Sequence, residues 1–122
     1  MSVYTVTPLG LAGSLKVIRD PDVDASTGYD LTDGAATLYT MIVDNTAVAT
    51  TTYVKCYNSL NPVIGTAVPD MVFMLPALTQ RTITFATGSR FSVAISTAAV
   101  TTGGTGGTSS PGANVLVNWV VA

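Results

Sequence analysis

The sequence predicts an all-β protein: an antiparallel β-sandwich, jelly-roll-like, with about eight strands. Three observations carry this. There are 20 Thr and 16 Val among 122 residues, and β-branched side chains favour extended backbone. Apolar residues recur with a period of two and nowhere with a convincing helical period. Gly and Pro fall between the apolar runs, where turns belong. The length suits one domain, residues 1–122. Size scaling gives a folded surface of roughly 6,200 Å² against roughly 18,000 Å² for the open chain, enough burial for a core without disulfides or metals.

Strands are expected near residues 3–7, 14–19, 36–44, 51–58, 71–75, 80–85, 91–97 and 114–121. Residues 20–34 form an acidic loop that holds five of the seven Asp. Strand 36–44, Ala-Ala-Thr-Leu-Tyr-Thr-Met-Ile-Val-Asp from Ala35, is apolar on both faces. One face should meet the core, and the other a second chain or an overlying loop. Asn61-Pro62, Val68-Pro69 and Leu75-Pro76 interrupt ladders, because Pro has no N–H. From 51 to 97 the spacing suits a four-stranded meander. Residues 101–112, Thr-Thr-Gly-Gly-Thr-Gly-Gly-Thr-Ser-Ser-Pro-Gly, read as a flexible loop before the last strand. The alternation assigns Val54, Ile83, Phe85, Phe91, Val93, Ile95, Val115 and Val117 to the core.

Composition narrows the chemistry. There is no His, and all seven acids are Asp. Ser-His and Cys-His pairs, His-containing zinc sites and Glu-based acid/base work are therefore excluded, and no enzymatic role or cofactor is expected. The five cations, Lys16, Arg19, Lys55, Arg81 and Arg90, are scattered, and net charge is −2. Nucleic acid needs clustered Lys/Arg, so it is not an expected partner. A membrane is not expected either, since no apolar run approaches the 18–20 residues of a spanning helix. Met1–Arg19 lacks a basic-then-apolar leader, so synthesis in a cytoplasm is expected. Only 10% of residues are charged, against about 25% in ordinary domains. That thin cover suggests a surface shared with other subunits, a homo-dimer or homo-trimer.

Few residues invite a site. Asp20, Asp22 and Asp24, with Asp30 and Asp33, could gather around calcium. Counted from Asp20, however, the EF-hand positions for Gly and Glu hold Ala25 and Leu31. Solvated loop acids are the simpler reading. The glycines at 103–107 lack the Gly-Lys-Ser/Thr of a phosphate loop. Cys56, on the Val54 face of its strand, reads as an inert core thiol. Tyr53, Lys55 and Tyr57 form a ladder on the other face, serving cross-strand packing or contact with a partner.

The segment from Leu38-Tyr39 onward carries a resemblance. It runs through Tyr53-Val54-Lys55-Cys56-Tyr57-Asn58, then Asn61-Pro62-Val63-Ile64-Gly65-Thr66, Leu75-Pro76 and Gly88-Ser89-Arg90-Phe91-Ser92. Over about residues 36–97 this resembles small virion proteins of tailed bacteriophages and cyanophages. Cys56 stands where an aliphatic residue is expected, and Ala77-Leu78-Thr79-Gln80 where a Gly-rich turn is expected. The resemblance implies a structural protein on the capsid exterior of the virion. Its role would be to decorate and cement the shell by binding the major capsid protein. Tyr39, Tyr53 and Tyr57 are the expected aromatic anchors at that interface. The competing expectation is a tail- or fibre-associated β-module that binds a host glycan or protein.

Overall fold

The computed structural model describes residues 5–8, 15–25 and 30–122. It is an all-β antiparallel sandwich. The strands are β1 (Thr5–Pro8), β2 (Lys16–Asp20), β3 (Ala36–Asp44), β4 (Thr52–Tyr57), β5 (Met71–Leu75), β6 (Gln80–Phe91), β7 (Ser96–Val100) and β8 (Leu116–Val121). The larger sheet has the order β1-β2-β8-β3-β6 and the smaller β5-β4-β7. Residues 3–4 and 14 of the expected strands, and 26–29 of the acidic loop, lie outside the described residues.

The pairings nest. β2 pairs with β8, β3 with β6 and β4 with β5, while Asp30 forms a lone bridge to Ser96 of β7. That is the jelly-roll plan of two interlocked Greek keys, with the strand beside β7 reduced to one residue pair. The expected meander over 51–97 is therefore wrong. The chain changes sheet from β5 to β6 and again from β6 to β7.

The core between the sheets is built by alternation. Ile18 of β2 lies level with Trp119 of β8, and Trp119 level with Met41 of β3; all three are fully buried. From the smaller sheet come Val54, Cys56, Leu75 and Ala99. Of the expected core residues, Val54, Phe91, Ile95, Val115 and Val117 are buried. Ile83 and Phe85 are half-buried and pack against the same cluster. Phe85 meets Phe73 edge-to-face at 6.2 Å, bridging β6 and β5 across the side of the sandwich.

Val93 is the exception, 48% exposed. The alternation Phe91-Val93-Ile95 looks like one strand but is a corner. Asn58 Oδ1 accepts from Val93 N at 2.8 Å, and Ile95 N donates to Thr32 Oγ1 at 2.9 Å. These side-chain bonds replace ladder bonds and turn the chain from one sheet to the other.

β3 shows why a strand can look apolar on both faces. Leu38 pairs with Val121 and Thr40 with Val120, so β3 carries one extra residue, Tyr39, against β8. A bulge reverses the inward–outward phase. Ala36 and Leu38 before it, and Met41 and Val43 after it, all face the core. Against β6 the irregularity is larger. Leu38 pairs with Ser89 and Thr40 with Thr84, leaving Phe85 to Gly88 opposite Tyr39 alone. Gly88 has φ 79, and a Cβ there would fall 3.0 Å from Tyr39 Cε1, so the flare requires glycine.

Candidate functional site

A sandwich can be approached at its strand edges or on its two outer faces. The edges are guarded. β1 is four residues long and ends in Pro8, which has no N–H to offer. The open side of β7 is taken by the preceding segment, where Ala99 N donates to Asp24 O at 2.9 Å. On β5, Arg81 Nη1 donates to Met74 O at 3.3 Å. β6 is long, but its flare breaks the line, and Arg81 and Arg90 stand near its two ends. Bulges and edge charges are the usual devices against unwanted strand pairing.

The outer face of the smaller sheet is mostly roofed. Tyr57, Ala98 and Val100 form a second small core with Ile64, and Tyr53 and Ala67 pack against it. Residues 101–112 lie over the rest. Gly103 sits against the Tyr53 ring, where a Cβ would be 2.8 Å from Cε1. Thr101 N donates to Ser109 O at 3.0 Å, and Ala25 N donates to Ser110 Oγ at 3.1 Å. The glycines let backbone lie directly on an aromatic ring. The run is cover, not only a connection.

Lys55 is beneath that cover and is fully buried. Its Nζ donates to Gly104 O at 2.5 Å, and among the described residues no carboxylate pairs with it. Burial holds its pKa below the ordinary lysine value. A buried cation with a single backbone acceptor among the described residues costs stability that an apolar residue of the same shape would not. Lys55→Met is therefore expected to match or exceed the native protein at pH 7, by on the order of 1 kcal/mol. The difference should shrink toward pH 10, as the native lysine sheds its proton. Urea midpoints at the two pH values check this.

The three expected anchors do not come together. Tyr57 is 1% exposed, and its Oη has no hydrogen-bond partner. As an exposed anchor it is corrected: β4 is central in its sheet and roofed on that face. Tyr53 is half-buried on the same side. Tyr39 is half-buried at the bulge in the other sheet. The acids are also dispersed. Asp20, at the end of β2, accepts from Asp22 N at 3.0 Å. Asp30, beside β7, accepts from Asn61 N at 2.9 Å, and Ser96 Oγ lies 2.5 Å from the same oxygen. Among the described residues no three metal-ligating side chains cluster. Cys56 is sealed, and burial, with the nearby Asp70 charge, pushes its thiol up to about 12.

What the surface does offer is apolar. β5 reads Met-Val-Phe-Met-Leu, with Met71, Phe73 and Leu75 turned inward. Val72 and Met74 are turned outward and exposed, Met74 level with Tyr53 and Val72 level with Lys55. Val68, just before the strand, is 76% exposed. This strip was not singled out from sequence. Five consecutive apolar residues in a short strand were the available signal, since a strand with one wet face should alternate.

Comparison of the chain with protein-family models, curated proteins and solved structures finds no match.

Proposed function

We propose that this chain is a structural virion protein that decorates a tailed-phage capsid and cements it by contact with the assembled major capsid protein. The observation that carries the reading is the strip formed by Val68, Val72 and Met74 beside Tyr53, on a sandwich whose edges are guarded. An exposed apolar strip of this kind marks a docking surface. Val72 is 41% and Met74 50% exposed, so covering what remains of each is worth roughly 1 kcal/mol before the costs of association. Repeated around a shell, modest contacts stabilise the assembled state over the dissociated one by mass action. The resemblance of residues 36–97 to small virion proteins supports the same reading. The tail-module alternative calls for exposed aromatic platforms, and Trp119 and Tyr57 are both buried.

The test uses particles assembled without this protein. Purified protein should co-sediment with them and raise their survival under heat or osmotic shock. Val72→Lys with Met74→Lys should lose at least tenfold in binding. Its melting temperature should barely move, because surface substitutions usually cost less than about 0.5 kcal/mol. Equal particle survival with and without the protein, or immunogold label on the tail, overturns the proposal.

A further inference from the structure

Besides the β5 strip, the outer face of the larger sheet is open: Arg19, Gln80, Thr82 and Thr84 are exposed on it, and Val17, Ile42, Leu116 and Val120 are half-buried. Its side chains follow from the register. Val17, Val120, Thr40 and Thr84 lie in one row across β2, β8, β3 and β6. Arg19, Asn118, Ile42 and Thr82 form the next row, and Leu116, Asp44 and Gln80 the row after. Each faces away from the buried set Ile18, Trp119, Met41 and Val117. The face carries few charges: Arg90 lies near one end of β6, level with the outward Thr37, and the other two are Arg19 on β2 and Asp44 at the end of β3.

Arg19 and Asp44 stand diagonally. They are two strands and two residues apart, roughly 12 Å at ordinary strand spacing. No ion pair joins them within the chain, and among the described residues Arg19 has no carboxylate partner. Asp44 keeps its place by accepting from Thr46 N at 2.9 Å and from the Thr46 hydroxyl, both at the one oxygen Oδ1. Thr46's hydroxyl and then its amide hold the carboxyl below its ordinary pKa, so it is charged at neutral pH.

We infer that this face pairs with the same face of a second copy of the chain, Arg19 of each copy meeting Asp44 of the other. A two-fold axis lying in the face, midway between the two charges, exchanges them. It lays Ile42, Leu116 and Asn118 close to their counterparts and crosses the two sheets steeply, in the orthogonal class of sheet packing. Such an isologous contact is self-complementary and closes at two copies. Edge-to-edge pairing is the rival route to a dimer, and β6 opposes it. Antiparallel pairing of two β6 strands at full overlap sets Arg81 of each opposite Arg90 of the other. Five strands at ~4.8 Å give a patch about 20 Å wide, at the low end of specific interfaces, so the dimer is concentration-dependent. The inference does not depend on what the β5 strip binds.

Sedimentation of the full chain over a range of concentrations reads the result. The native protein should pass from monomer to dimer. Arg19→Asp, at an exposed position, and Asp44→Asn, which keeps the acceptor for Thr46, should each weaken dimerisation at least tenfold with unchanged melting temperature. Arg19→Asp mixed with Asp44→Arg should form a heterodimer, because each restored contact then joins opposite charges. If Asp44→Arg fails to fold, Arg19→Asp and Ile42→Arg decide the matter alone. A native protein that stays monomeric to millimolar concentration overturns the inference. So does a trimer, or an Arg19→Asp variant that dimerises like the native chain. Loss of dimer with capsid binding retained would leave the proposed function standing.

Discussion

Trp119→Ala is expected to bring the domain to the edge of unfolding. Trp119 is the largest fully buried side chain. It sits on β8 at the centre of the larger sheet, level with Ile18 on one side and Met41 on the other. Truncating a buried Trp typically costs about 3–5 kcal/mol, out of a total stability of about 5–15 kcal/mol. The indole offers its own control. Its Nε1 has no hydrogen-bond partner, so Trp119→Phe removes ring volume without breaking a bond. That variant should lose much less, under about 2 kcal/mol. Urea midpoints of the two variants separate the cases. Similar losses in both would mean the indole nitrogen, not the packed ring, is what matters there.

The second large effect is alkaline. The Cys56 thiol is pushed up to about 12, against roughly 8.5 in an unfolded chain. A raised pKa means the folded state keeps a proton that the unfolded state gives up. The stabilisation is therefore complete below about pH 8.5 and drains away up to pH 12, by about 4–5 kcal/mol in all. Burial raises Tyr57 as well, which adds a loss at higher pH. Lys55 has the opposite sign. Its lowered pKa means stability rises with pH until the unfolded lysine titrates near 10.4. The native protein should therefore show a shallow decline to about pH 10 and a steep one beyond. Cys56→Ala should begin less stable by about 1 kcal/mol and become the more stable protein above about pH 9–9.5. Curves that run parallel through pH 11 would mean Cys56 titrates as an exposed thiol.

The sandwich was legible because its evidence is local. Alternation in 51–58, 80–85 and 114–121 marks strands whose partners need not be known. What stayed hidden depends on pairing. Nothing near Tyr39 announces that β3 holds one more residue than β8 needs, so a strand with one buried face looked double-sided. The reverse holds at β5, where both faces are apolar in fact, and the strand's exposed outer face drew no notice in the sequence. The corner at 92–95 imitated a strand because Phe91, Val93 and Ile95 alternate. The bonds that bend it come from Asn58 and Thr32, more than thirty residues earlier in the chain. The ladder of Tyr53, Lys55 and Tyr57 was placed on the correct face. Its burial was not foreseeable, because a glycine run has no apolar side chains to advertise that it covers something.

The nested pairing also sets an order of events. A ribosome delivers β8 last of the eight strands, yet β8 occupies the middle of the larger sheet, between β2 and β3. Until it arrives, both of those neighbours wait with unpaired backbone, and no smaller part of the sheet can close around Trp119. Ile18 meets Trp119 across almost the whole chain, so the outermost contacts are long-range and slow to form. Nascent or shortened chains without β8 are consequently substrates for chaperones and proteases, and only molecules made through β8 acquire the flat outer face at all. The last strand made is thereby the one that closes the larger sheet.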